Sequence, residues 1–328
     1  MIFGEFRCEE AEGVTLAHTL HLGEMTLKKG RVLAAEDLAM LKRHGIAQVT
    51  GARLGADELD ETAGAAEIAA LLAGPHTETR RPYTGRCNVH ASARGVLRVD
   101  AARGDALNAI DEAITVGTLP DYAMARQGQV LATVQIIPFA VQRELVGRCR
   151  AIAAGGPLLR LAPLATRRAA LIMGELPGMK ETVFKGTVTA TRNRLEGLGS
   201  RLALVLRCRH DSAEYAAKLR EAQAAGCDLL LVAGATVTKD RLDVAPAAVV
   251  AAGGEVAHFG MPVEPGNMLL LARIGEVPVL VLPGCARSRR SNGLDWVLQR
   301  LHAGLPLGRA EIMRMGVGGL IQIGRAHV

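Results

Sequence analysis

The sequence predicts an α/β protein: a three-layer α/β domain with a mainly parallel sheet, preceded by a smaller mixed α+β domain. Three observations lead there. From about Arg168 onward, short apolar runs alternate with longer helical ones, and such alternation calls for parallel strands joined by right-handed crossovers. The helical runs stop at glycines, as at Gly226 and at Gly253-Gly254. Before Arg168 the elements are short and mixed, and Ala154-Gly155-Gly156-Pro157 to Pro163 punctuates the chain between the halves. A chain of 328 residues is long enough for two domains with separate cores. Their expected bounds are 1–160 and 161–308, with 309–328 as a linker or truncated tail.

In the first half, Leu27 to Leu33 reads as a turn and strand. Glu36 to His44 reads as a helix closed by Gly45, and Ile46 to Thr50 as a strand. Asp57 to Leu72 is a helical run that ends at Gly74-Pro75. Arg94 to Val99 and Val130 to Ile137 read as strands, with a helix from Arg103 to Ala113 between them. His18 and His21 would share one side of a helix, but a pair without a third ligand is a weak metal signal, and solvated or capping histidines explain them better.

The second half is more regular. Ala169 to Met173, Leu202 to Leu206 and Asp228 to Val232 are expected strands; Lys180 to Leu195 and Ser212 to Ala225 are expected helices. Asp211 with Glu214 three residues on reads as a capping box. A helix from Asp243 to Ala252 leads to strands at Glu255 to Phe259, Met268 to Arg273 and Pro278 to Leu282. The last two form a hairpin about Ile274-Gly275-Glu276. Asn292 to His302 is the final helix.

Composition removes several function classes. No apolar run approaches the ~20 residues that cross a bilayer, and Met1 to Glu12 lacks the pattern of an export signal. The chain therefore reads as cytoplasmic, with no membrane partner. Six scattered cysteines form no CxxC pair, which argues against a zinc site or a disulfide framework. The net charge is +6, but arginines alternate with acids and aromatics are only 3%. That pattern suits a small anionic ligand better than a nucleic acid.

Ligands of open α/β sheets sit beyond the carboxyl ends of the strands. Three loops qualify: Ala233-Gly234-Ala235-Thr236-Val237-Thr238, leading through Lys239 and Asp240 to Asp243; Glu264-Pro265-Gly266-Asn267; and Leu282-Pro283-Gly284-Cys285-Ala286-Arg287-Ser288. Small residues let backbone approach a bulky ligand, and hydroxyls with N–H groups hold phosphate. Asp243 is equally placed to be an N-cap, with Pro246 in the first turn.

These loops carry a resemblance. Gly234-Ala235-Thr236 followed by Leu242-Asp243-Val244-Ala245-Pro246 resembles the glycine–threonine loop and Asp-containing helix start of the MoaB/Mog molybdopterin-binding domain. Pro265-Gly266-Asn267 stands where the related MoeA proteins have Pro-Gly-Lys, and Leu282-Pro283-Gly284 is similar to their Leu-Pro-Gly loop. Leu27 to Leu33 through Gly45-Ile46 is more loosely similar to the MoeA linker region. The resemblance implies a MoaB/Mog-like domain of molybdenum-cofactor biosynthesis that binds molybdopterin or its nucleotide derivative. It implies a molybdopterin molybdenumtransferase-like or nucleotide-handling activity using Mg2+ and molybdate; a non-catalytic molybdopterin carrier is the alternative. Asp243 would be the catalytic acid, with Asp240 as alternate. Gly234, Thr236, Pro265, Gly266, Asn267, Pro283, Gly284, Cys285 and Ser288 would contact ligand. Lys180 and Lys185 would pair with phosphate, although a solvated helix face explains both lysines as well.

The departures are specific. The usual double glycine is Ala233-Gly234, the Gly-Asp-Glu-Leu loop of MoeA is Gly174-Glu175-Leu176-Pro177, and Cys285-Ala286 replaces Asn-Pro. The residues from Ile323 to Val328 break the preceding pattern and look like translated sequencing adapter. A continued gene would then place Met313 to Ile321 as a linker to a molybdenum cofactor nucleotidyltransferase, the expected partner whether fused or separate. A homo-oligomer is also expected, with Trp296 as a candidate anchor. A dinucleotide-dependent oxidoreductase is rejected, because Gly197-Leu198-Gly199 follows a helix and precedes a strand, the reverse of the required order.

Overall fold

Strand Leu229–Ala233, buried along its whole length, lies at the heart of the second half of the chain. The structure is a computed structural model that describes residues 1–321. It is a mixed α/β protein in two units, Met1–Ala162 and Pro163 onward. The adapter-like tail at 323–328 lies outside the described residues.

In the second unit, six strands form one sheet in the order Arg201–Arg209, Arg168–Glu175, Leu229–Ala233, Val277–Val281, Leu270–Ile274, Glu255–Phe259. The first four pair in parallel and the last two join antiparallel. An apolar strand with no alternation must be covered on both sides, and the packing shows how. Ala170, Ile172, Leu230 and Val232 pack with Tyr215, Leu219, Ala248 and Val249 from helices Ser212–Ala224 and Val244–Ala251. Met173, of opposite parity, shares a surface with Phe184 and Val188 of helix Glu181–Gly197. Gly275 opens the two-residue turn of the hairpin with φ +57°, a conformation that glycine adopts without a Cβ penalty.

Asp211 caps its helix by accepting from the N–H groups of Ala213 and Glu214. The capping box is only half made: Glu214 turns back to the N–H of Arg209, at 2.8 Å, and to its guanidinium. Met313 to Ile321, read above as a linker, runs beside the loop before Gly266. Glu264 N donates to Gly319 O and Ile321 N donates to Glu264 O, both at 2.9 Å, while Ile312 and Met315 are buried.

The first unit is nearly as long as the second and holds two cores. One gathers Phe6, Val14, Leu16, Leu33, Leu41 and Val49 around the antiparallel sheet Ile2–Arg7, Gln48–Arg53, Thr15–Leu16 and helix Ala35–Arg43. The other packs helix Glu61–Leu72 on strands Arg86–Ala91 and Val130–Ile136. Three expectations change here. Residues 58–60 pair as a strand with Ala140–Gln142, so the helix begins at Glu61 under an Asp60 cap. Helix Ala101–Asn108 ends before Ala113, because Ile114–Thr118 is needed as a strand against Val130–Ile136. His18 and His21 share no helix: His21 lies in strand Leu20–Leu22, its Nδ1 3.2 Å from Thr26 Oγ1.

His302 is fully buried at the end of helix Gly293–His302; its Nδ1 donates to Leu298 O at 2.6 Å, and its Nε2 is buried without a hydrogen-bond partner. Burial, reinforced by the nearby Arg167 charge, lowers its pKa. The unfolded chain therefore takes up a proton first as pH falls. Stability is full above the ordinary histidine value of 6.5 and drops as pH descends toward the folded value. Buried His90 and His258 shift in the same direction. Thermal unfolding should show Tm falling from about pH 7.5 to about pH 5.5, and His302→Asn should narrow that fall; an unchanged difference would remove His302 as a cause.

Candidate functional site

Because four adjacent strands run parallel, their carboxyl ends (Glu175, Arg209, Ala233, Val281) lie along one edge of the sheet. The loops that leave this edge enclose a cleft of about 70 Å³. Among its lining residues are Gly234, Thr236 and Thr238 of the first loop, and Pro283, Gly284 and Arg287 of the third. Thr187 comes from helix Glu181–Gly197 and Met268 from just beyond Gly266. Among the described residues no acid lines it.

The loops are tied to one another. Arg287 Nη2 donates to Gly234 O at 2.9 Å, joining the third loop to the first. Gly266 has φ +135°, and a Cβ there would stand 2.6 Å from Gly293 N, so the second loop rests directly on the start of helix Gly293–His302. Gly293 N also donates to Pro265 O at 2.8 Å. Arg194, whose side chain is only 8% exposed, holds the third loop from beneath. Its Nε meets Asp295 Oδ1 at 2.8 Å, and its Nη groups donate to the carbonyls of Ala286, Ser288 and Arg290 at 2.8, 2.7 and 3.0 Å.

Of the residues singled out in the sequence, Gly234, Thr236, Pro283 and Gly284 line the cleft. Pro265, Gly266 and Asn267 shape its surroundings through backbone: Asn267 O accepts from Met261 N at 2.9 Å. Cys285 is half-buried, and burial, with Glu264 as a lesser cause, pushes its thiol pKa up, so it is no reactive thiolate at neutral pH. Ser288 is exposed and its Oγ accepts from Arg290 N at 3.2 Å. Asp243 is the N-cap of helix Val244–Ala251, with Oδ1 2.8 Å from Val244 N and Oδ2 3.0 Å from Lys239 N. Asp240 Oδ1 accepts from Leu242 N at 2.7 Å. Neither aspartate lines the cleft.

Lys180 is the exposed N-cap residue of helix Glu181–Gly197. Lys185 lines a separate cleft of about 370 Å³ with Phe184, Arg192 and Arg207. That face is basic but partly neutralised, since Arg207 pairs with Glu175 at 3.1 Å and Glu181 at 2.9 Å.

Sequence reasoning passed over His210, Tyr215 and Arg194, and placed Arg287 in the third loop without giving it a role. His210 Nε2 lies 2.9 Å from Thr236 Oγ1, and its Nδ1 lies 3.2 Å from Tyr215 Oη. The available signal was position: His210 follows directly on a parallel strand, at the ligand edge. Among the described residues no three His, Cys, Asp or Glu side chains gather as a metal cluster. Among the same residues, no helix is long and apolar enough to cross a membrane.

Arg194→Ala removes three contacts to one loop and leaves Asp295 without its cation. It should cost about 2–4 kcal/mol and speed amide exchange across 284–290. Denaturant unfolding and hydrogen exchange measure both, and wild-type protection in the variant would show that the clamp is dispensable.

A family model described as a domain of unknown function (DUF8806) matches residues 5–53, the segment that carries the first of the two N-terminal cores. No curated protein matches the chain. Among solved structures, the chain is similar to a molybdopterin biosynthesis MoeA protein from Pyrococcus horikoshii, at 12% identity over 92% of this chain and 75% of that one, with a TM-score of 0.32. It is similar to the molybdopterin biosynthesis enzyme MoaB from Thermus thermophilus, at 20% identity over 43% of this chain and 98% of that one, with a TM-score of 0.29. A molybdenum cofactor biosynthesis protein from Pyrococcus furiosus is similar at 11% identity over 93% of this chain and 66% of that one, with a TM-score of 0.25.

Proposed function

We propose that the second unit is a MoaB/Mog-like three-layer domain that binds molybdopterin, and that the chain acts in molybdenum-cofactor biosynthesis as a molybdenumtransferase-like or cofactor-nucleotide-handling enzyme. One observation carries the reading. Three loops resembling the family's motifs are far apart in sequence, yet the Arg287–Gly234 and Gly293–Pro265 hydrogen bonds bring them to one edge of the sheet.

The donor set suits an anionic pterin. The cleft is far smaller than the ~300–1,000 Å³ that encloses a drug-sized ligand, so it takes a small oxyanion while the rest of the ligand lies across the exposed loops. Thr236 and the Arg287 guanidinium offer hydrogen bonds to such a group. Gly234 keeps backbone close: a Cβ there would stand 2.8 Å from Thr236 O. Molybdopterin, its nucleotide derivative and molybdate enter as substrates. Magnesium, commonly held by one or two carboxylates together with substrate phosphates, would enter with the substrate. Asp243 holds the Lys239–Val244 turn in place and so fixes the far end of the Thr236 loop. The proposal includes a cytoplasmic setting, a molybdenum cofactor nucleotidyltransferase as partner and a homo-oligomeric state.

The test is an equilibrium titration of the purified chain with molybdopterin. Saturable binding is expected, weakened about tenfold by Arg287→Ala, which loses one charge-assisted contact. Asp243→Ala should lower stability by about 1 kcal/mol as a lost cap and reduce molybdate or nucleotide turnover more than binding. Absence of saturable binding by the wild-type chain would sink the reading.

A further inference from the structure

Tyr215 is fully buried beneath the site, yet its hydroxyl is directed at the ligand edge. The space it occupies is left open by Gly174, since a Cβ at that position would overlap the phenol oxygen. The ring meets His210 edge-on, with centroids 5.7 Å apart and planes at 87°. A chain of polar atoms follows: Tyr215 Oη to His210 Nδ1 at 3.2 Å, then His210 Nε2 to Thr236 Oγ1 at 2.9 Å. Thr236 lines the cleft.

The direction of this chain follows from donor and acceptor counts. Burial, the largest influence, pushes the phenol's pKa up, so it keeps its proton. That proton has two acceptors in reach, His210 Nδ1 at 3.2 Å and Ala233 O at 3.4 Å, and the shorter contact is to histidine. An imidazole that accepts at Nδ1 carries its hydrogen on Nε2 and donates it to Thr236 Oγ1. The threonine hydrogen must then point away from His210, and the cleft that Thr236 lines is open to it.

We infer that Tyr215, acting through His210, fixes the Thr236 hydroxyl as a hydrogen-bond donor into the cleft, so that the site selects a tetrahedral oxyanion over ligands that present donors. Tyr215 and His210 are positioning residues; Thr236 is the group that touches ligand. The assignment of an oxyanion rests on the cleft being the ligand site proposed above, whereas the relay itself does not.

Long-range 1H–15N spectra of the full chain read the histidine tautomers without any ligand, with the His210 signal identified by its loss in His210→Gln. The wild-type signal is expected in the Nε2–H form, and Tyr215→Phe should convert it to a mixture. A dominant Nδ1–H form in the wild type overturns the relay, and so does a spectrum unmoved by Tyr215→Phe. Separate titrations with inorganic phosphate and with molybdate test the ligand. Thr236→Val should weaken whichever anion binds by about tenfold, and Thr236→Ser should restore it to within about threefold. Equal affinity in Thr236→Val overturns the role of the hydroxyl. Failure of both anions to bind the wild-type chain overturns the oxyanion assignment and the cleft reading together, whatever the tautomer.

Discussion

The loops at the carboxyl edge of the parallel strands are organised around one guanidinium. Arg194 rises from helix Glu181–Gly197 and satisfies three carbonyls of the loop after strand Val277–Val281, together with the Asp295 carboxylate. Its planar fork is suited to holding several acceptors in fixed directions. Without such a partner, a loop of glycine, alanine, serine and arginine would have few groups to restrain it. Asp295 is shared: it also accepts from Asn292 N at 2.8 Å within the capping box of helix Gly293–His302. The same contact network therefore fixes where that helix begins, and Gly266 rests on its first residue. The positions of the second and third loops are consequences of one buried cation.

Much of the second unit was legible in the sequence because its signals are local. Apolar runs at Ala169, Leu202 and Asp228 emerge as strands within a few residues of their expected bounds, and Asp211 and Asn292 cap the helices they were expected to start. The first unit was less legible. Its strands Thr15–Leu16, Leu20–Leu22 and Met25–Leu27 are two or three residues long, too short for a period to register. Residues 58–60 looked helical because the run continues into a true helix, and only pairing with the distant Ala140–Gln142 makes them a strand. Long-range pairing decided those residues, and local propensity does not record it.

The site was legible as loops but not as side chains. Glycine, proline and threonine marked three loops as candidates, and those loops lie at one edge of the sheet. The residues that orient them are ordinary in sequence. Arg194 is one arginine in a helix that also carries Arg192, and nothing local says that it alone turns inward. His210 and Tyr215 lie five residues apart, and their contact depends on Gly174, which belongs to another strand. Asp243 shows the converse. Its type and place fit both a cap and a catalytic acid, and the geometry assigns its two oxygens to backbone N–H groups.

The charge balance follows the same logic. Arg207, Arg209, Arg194 and Arg273 each face a carboxylate: Glu175 and Glu181, Glu214, Asp295 and Glu255 respectively. Arg287 instead binds the carbonyl of Gly234, and among the described residues no carboxylate lies within ion-pair distance of it. A carbonyl fixes the direction of a guanidinium without cancelling its charge. A small cleft with no acid among its described lining residues leaves that charge uncompensated there. At this cleft the surplus of basic residues is represented by Arg287, whose carbonyl partner orients it without cancelling its charge and which lines the same space as Thr236.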